Sequence, residues 1–169
     1  GDHRDLHSFP TRRSSDLGAE AAASLAAYFL GRGARLGLRL GQGAVRIEGD
    51  DERELPPVLD ALARFSPKAR PGAFADLIKE AAAAARTGAA LVAIGPSLGR
   101  AEALALIEAK LAGRRPAFVR LAGPGGDADE TGSNLDSASL AEALAAEDIS
   151  RVVVRDHKEL GHALAELRV

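Results

Sequence analysis

ALVAIGPSLGRAEALALIEAKLAGRRPAFVRLA, residues 90–122, decides the fold of this chain. Its first five residues form a short apolar run without alternation, which is how a strand buried on both faces reads. GPSLG then supplies turn residues, and RAEALALIEAKLAG carries apolar side chains at helical spacing and ends on a glycine. PAFVRLA is a second apolar run, and a third, RVVVRD, follows at residues 151–156. Each run precedes a helical stretch, at residues 100–113, 139–149 (SLAEALAAEDI) and 157–167 (HKELGHALAEL). Apolar strands alternating with helices indicate an α/β domain whose parallel sheet is covered on both faces, a doubly wound arrangement.

Upstream the pattern changes. AEAAASLAAYFLGRG, residues 19–33, reads as an Ala-rich helix closed by glycine, with Leu25, Phe29 and Tyr28 as its inward stripe. ARLGLRLGQGAVRIEG alternates, with Leu36, Leu38 and Leu40 on one face, and Val45 and Ile47 after a GQG turn. That is an antiparallel hairpin with one buried face. DERELPPVLDALARF begins acidic, has prolines in its early turns and spaces Leu55, Val58, Leu59 and Leu62 as a helix does. SPKARPG is a loop, and a further helix spans residues 74–88. No internal repeat is visible.

Residues 1–17, GDHRDLHSFPTRRSSDL, share none of this patterning. They lack the apolar core of a secretory signal, and Asp2, Asp5 and Asp16 offset Arg4, Arg12 and Arg13, unlike a transit peptide. All seventeen residues fit one reading frame of a short-read sequencing adapter, and the chain contains no methionine. The segment is therefore set aside as non-native and disordered, leaving residues 18–169 as the domain, with an unknown natural start. One domain with a single core fits that length. The net charge is -2, and setting the segment aside leaves it there, since three acids and three bases go together. Such a balance argues against a nucleic-acid binder. Without cysteine there is no disulfide or thiol chemistry. No apolar run approaches the roughly 20 residues of a membrane helix.

Three groups invite a chemical reading. GPSLG satisfies the G-x-S-x-G pattern, and Ser97 stands after an apolar run and before a helix, the setting of a nucleophile elbow. Asp127 or Asp129 follows the next strand and His157 the last, so all three would emerge at the carboxyl edge of a parallel sheet, with His157 as base and the Asp orienting it. Against this, Pro96 fixes φ beside the nucleophile, and no HGG-type stretch offers a second oxyanion donor. The plainer reading is a turn and helix cap. DADETGSNLD places Asp127, Asp129 and Thr131 at alternate positions before Gly132, like the start of a calcium loop, but Ala138 stands where the bidentate Glu is required. A solvated loop is the simpler account. His157 and His162, five apart, face different sides of a helix and make a poor metal pair. Gly31, Gly33 and Gly37 miss the dinucleotide spacing and stand between a helix and a strand, the wrong order.

AAASLAAYFLGRGARLGLRL, a short hairpin, an acidic step and LPPVLDALARFSP together resemble the carboxyl-terminal part of the domain of unknown function 58 family of bacterial proteins. The resemblance covers roughly residues 18–121, and beyond it the last strand and helix agree in type only. It implies a von Willebrand factor A-like, Rossmann-like fold: a doubly wound, mostly parallel sheet with an antiparallel edge hairpin, here lacking its first central strand. That strand would sit between the hairpin and ALVAI, and its loss leaves two unpaired edges. Metal-binding members hold Mg²⁺ on a D-x-S-x-S loop after that strand. Ser14, Ser15 and Asp16 belong to the segment set aside and do not stand in for it, and Gly95 and Pro96 occupy the place of a further metal-linked Asp. Neither metal nor cofactor is expected, and no catalytic residue.

The resemblance also implies a non-enzymatic adaptor that binds a protein partner, such as a MoxR-type AAA+ ATPase. A cytoplasmic domain anchored through upstream membrane helices would fit it. The alternative is a serine hydrolase using Ser97, Asp127 and His157.

Overall fold

The computed structural model describes residues 12–41, 45–49, 52–65, 72–122 and 134–167. In chain order these form α1 (Arg12–Leu30), β1 (Leu36–Leu40), β2 (Val45–Gly49), a 3-10 turn (Glu52–Glu54), α2 (Leu55–Ala63), α3 (Ala73–Ala84), β3 (Ala90–Gly95), α4 (Arg100–Leu111), β4 (Arg115–Leu121), α5 (Asn134–Ala146), β5 (Ser150–Val154) and α6 (His157–Ala165). The architecture is α/β, with a three-stranded parallel sheet at its centre.

That sheet has the order β3-β4-β5. Val92 lies opposite Ala117 and Ile94 opposite Val119, and Val119 in turn lies opposite Val152. β4 is the middle strand, and its Ala117, Phe118 and Val119 are wholly buried. Successive residues of a strand face opposite sides, so each side chain of β4 enters one of two cores. Val119 and Leu121 meet Leu17 and Ala21 of α1 and Leu160 and Ala163 of α6. Phe118 meets Ile78 of α3, Ala103 and Leu106 of α4 and Leu144 of α5. Burying one side chain of the size of Phe118 contributes about 2–3 kcal/mol. Helices thus cover both faces of the sheet, as continuous apolar strands require.

The hairpin has the expected register, with Leu38 opposite Ile47 and Leu40 opposite Val45. Leu36, Leu38 and Leu40 pack toward Ala26 of α1 and Val58 and Leu62 of α2. The expectation put a missing central strand between this pair and β3, leaving two unpaired edges. Among the described strands β1 and β3 share no ladder, and the hairpin stands as a sheet of its own. Both sheets lie under the same helices, because α1 and α3 each touch β1 and β3.

Helix α1 departs from the sequence reading at both ends of its stripe. Residues 12–17 are helical rather than disordered, and Leu17 is only 9% exposed. The reason is register: Leu17, Ala21 and Leu25 follow one another at intervals of four and continue a single inward face. Residues 1–11 lie outside the described residues. Farther along, Ala26 and Leu30 point inward, whereas Tyr28 is 52% exposed and lies under the guanidinium of Arg32, 3.6 Å from its ring centre. Helix α5 begins at Asn134, five residues before the expected start. The SPKARPG loop, at residues 66–72, lies outside the described residues except for Gly72.

Candidate functional site

In a parallel α/β sheet the carboxyl ends of the strands are the usual place for a site. Here that edge consists of Gly95 and the turn after it, Ala122 after β4, and Arg155, Asp156 and His157 after β5. Asp127 and Asp129 lie outside the described residues.

Ser97 and His157 are both exposed at this edge. Ser97 follows β3 and His157 follows β5, the two outer strands, so β4 stands between them. With strands about 4.8 Å apart, their starting points are separated by roughly two spacings. A nucleophile elbow is a strained turn. Among the described residues Asp148 alone, of the non-glycines, has positive φ, so the backbone of Ser97 does not occupy the left-handed region. Leu98 and Gly99 then separate Ser97 from the first residue of α4, Arg100. The turn leads into the N-cap of α4 at Gly99.

The polar groups at this edge close helix ends. The backbone N–H of Gly99 donates to Glu102 Oε2 at 3.1 Å. Asp156 Oδ1 accepts from the N–H of Lys158 at 2.8 Å and of Glu159 at 3.1 Å. Those bonds, with Glu159 contributing most and Lys158 next, hold the Asp156 carboxyl below its ordinary range. Glu159 Oε2 in turn accepts from the N–H of Arg155 at 3.2 Å and pairs with its guanidinium at 3.8 Å. The first amides of α6, which could otherwise hold an anion, are therefore satisfied by the chain's own carboxylates. The capping role of Asp156 was legible, since Asp followed three residues later by Glu marks a helix start.

His157 is the first residue of α6, and His162 lies about 140° farther round the helix. His162 Nε2 meets Glu166 Oε1 at 3.2 Å on an exposed surface. Among the described residues no three His, Cys, Asp or Glu side chains gather as a metal would need. The end of β3 does not fit the Mg²⁺ of a von Willebrand A-like site: Gly95 and Pro96 offer no side-chain donor, and a Cβ on Gly95 would already lie 2.9 Å from Phe74 Cε1. The calcium-like pattern starts outside the described residues, and from Asn134 its chain is helical, with Ala138 exposed.

At the amino end of the sheet a depression is lined by Lys110, Arg115, Asp148 and Ser150. Its charges are already engaged. Lys110 Nζ lies 3.9 Å from Asp148 Oδ2, and Arg115 Nε donates to the Gly88 carbonyl at 3.2 Å. Neighbouring Arg114 donates to the carbonyls of Ala112 and Ala85.

The outer face of α4 differs from both ends. Ala103, Ala105, Leu106 and Ala109 are buried, yet Leu104 is 52% and Leu111 76% exposed. Seven residues apart, the two leucines share one side of the helix. No helix among the described residues is long and apolar enough to cross a membrane. No family model matches the chain, and no curated protein matches it.

Proposed function

We propose that this chain is a von Willebrand A-like interaction domain of the domain of unknown function 58 type, a non-enzymatic adaptor whose partner is a protein such as a MoxR-type AAA+ ATPase. The observation that carries this reading is the pair Leu104 and Leu111, two exposed leucines on one side of α4, with exposed Glu108 between them. Two exposed leucines on one helix side, interrupted by a charge, are the kind of apolar anchor with polar surroundings that a docked partner would cover. The carboxyl edge supports the same reading, because its described carboxylates are engaged in capping rather than converging on Ser97.

The test is direct binding to a purified MoxR-type AAA+ ATPase, with and without ATP, by biolayer interferometry. The double variant Leu104→Ser, Leu111→Ser weakens the complex by about tenfold or more, since burying one leucine contributes about 1.5–3 kcal/mol and about 1.4 kcal/mol is tenfold in affinity. Absence of binding by the unaltered chain in both nucleotide states, or equal binding by the double variant, overturns the reading.

A further inference from the structure

The depression at the amino end of the sheet holds two cations whose engagements leave donors to spare. Its volume is about 540 Å³, within the range that small ligands occupy, and Pro116 and Ile149 give it an apolar wall beside Lys110, Arg115 and Asp148. The side chain of Lys110 is 34% exposed, and its ammonium lies 3.9 Å from Asp148 Oδ2, farther than a hydrogen bond reaches. Asp148 is almost fully exposed, so this pair is screened by water and weak. Arg115 spends Nε on the Gly88 carbonyl, which leaves Nη1 and Nη2 as a fork without an acceptor among the described residues.

The helix ends around the depression do not compete for these donors. α4 closes with the N–H of Gly113 on the Lys110 carbonyl and that of Arg114 on Ala109, and α5 with Asp148 on Ala145 and Ile149 on Leu144. Those terminal carbonyls are satisfied by backbone. The group that now faces the Lys110 ammonium is the chain's own Asp148 carboxylate, loosely held at the rim.

We propose that this depression binds a small organic carboxylate, which takes the place of Asp148 between Lys110 and Arg115 and lays its apolar body against Pro116 and Ile149. A planar carboxylate matches the guanidinium fork with two parallel hydrogen bonds. A phosphate brings more negative charge past Asp148 and is less favoured. The site lies at the opposite end of the sheet from Ser97, and the inference stands apart from the choice of functional reading.

NMR titration of the whole isotope-labelled chain tests it, with benzoate as the probe and benzamide as its neutral counterpart. Benzoate shifts the amides of Lys110, Ile149 and Ser150 to saturation, and benzamide does not. Lys110→Gln and Arg115→Gln each weaken benzoate binding about fivefold or more, as loss of a charge-assisted hydrogen bond does. Asp148→Asn tightens it about two- to fivefold, because the competing charge is gone and asparagine tolerates the left-handed backbone. Inorganic phosphate binds more weakly than benzoate. The proposal is overturned by the absence of saturable shifts at these amides, by equal binding of benzamide, by binding that Lys110→Gln leaves unchanged, by weaker binding to Asp148→Asn, or by phosphate binding as tightly as benzoate.

Discussion

The N–H of Ile149 donates to the Leu144 carbonyl at 2.9 Å, closing the end of α5 across a turn whose central residue, Asp148, has φ +52°. Asp148 itself donates to Ala145 at 3.0 Å. The same pair of bonds ends α1, where Gly33 donates to Leu30 and Ala34 to Phe29, and α4, where Gly113 donates to Lys110 and Arg114 to Ala109. This is the Schellman closure, and its left-handed position favours glycine. Ile149 and Leu144 both belong to one core, the apolar contact that usually accompanies it.

Asp148 is thus the one of the three without glycine at that position. Asp148→Gly removes the steric cost of φ +52° and gives up an ion pair in which Asp148 is 94% exposed, which contributes little. Equilibrium urea denaturation of Asp148→Gly is expected to show a gain of about 0.5–1 kcal/mol. A loss of stability would show that the Lys110 pair matters more than the backbone.

Asp156 gives a pH dependence of known sign. Backbone bonds hold its carboxyl below the ordinary range in the folded chain, so its contribution is complete above the unfolded-state pKa. It is lost as the pH falls through the lower, folded value. Asp156→Ala lowers Tm at neutral pH, and the difference from the unaltered chain shrinks on acidification. Asp156→Asn keeps the cap and removes this pH dependence. Thermal scans from neutral to strongly acidic pH check both, and a difference that does not shrink with acid contradicts the assignment.

Gly95 ends β3 against the ring of Phe74, with Cε1 2.9 Å and Cζ 3.2 Å from where a Cβ would lie. Gly95→Ala therefore costs about 1–3 kcal/mol through overpacking. Phe74→Leu in the same chain recovers part of that cost. A double-mutant cycle by denaturation measures the coupling, and purely additive effects would contradict the contact.

Leu17 tests whether the first turns of α1 belong to the domain. Leu17→Ala removes a nearly buried side chain from the core with Val119 and Val154 and is expected to cost about 2–4 kcal/mol. Asp16→Ala, on the exposed side, changes stability by less than about 0.5 kcal/mol. Equal, small effects of both would place residues 12–17 outside the fold.

The parallel strands were legible because ALVAI, PAFVRLA and RVVVRD are apolar without interruption, and the hairpin because Leu36, Leu38 and Leu40 alternate with polar or small residues. The start of α1 was hidden by the polar composition around Ser14 and Ser15, where the one stripe residue, Leu17, sits at the boundary. Tyr28 misled because aromatic character suggests burial, while the stacked Arg32 lets its ring stay at the surface. The separation of β1 from β3 was expected from the family resemblance, which puts a strand between them, and not from the periodicity of either strand. At the carboxyl edge the sequence offered Ser97 and His157 only as the alternative to a plain turn and helix cap. It does not encode the sheet order that puts β4 between them.

The central claim is that this domain binds rather than catalyses. Treatment of the folded chain with a fluorophosphonate probe, followed by intact mass and peptide mapping, tests it most directly. The account predicts no mass increase at Ser97. Stoichiometric labelling of Ser97 that Ser97→Ala and His157→Ala each abolish, with the fold retained by circular dichroism, would contradict it.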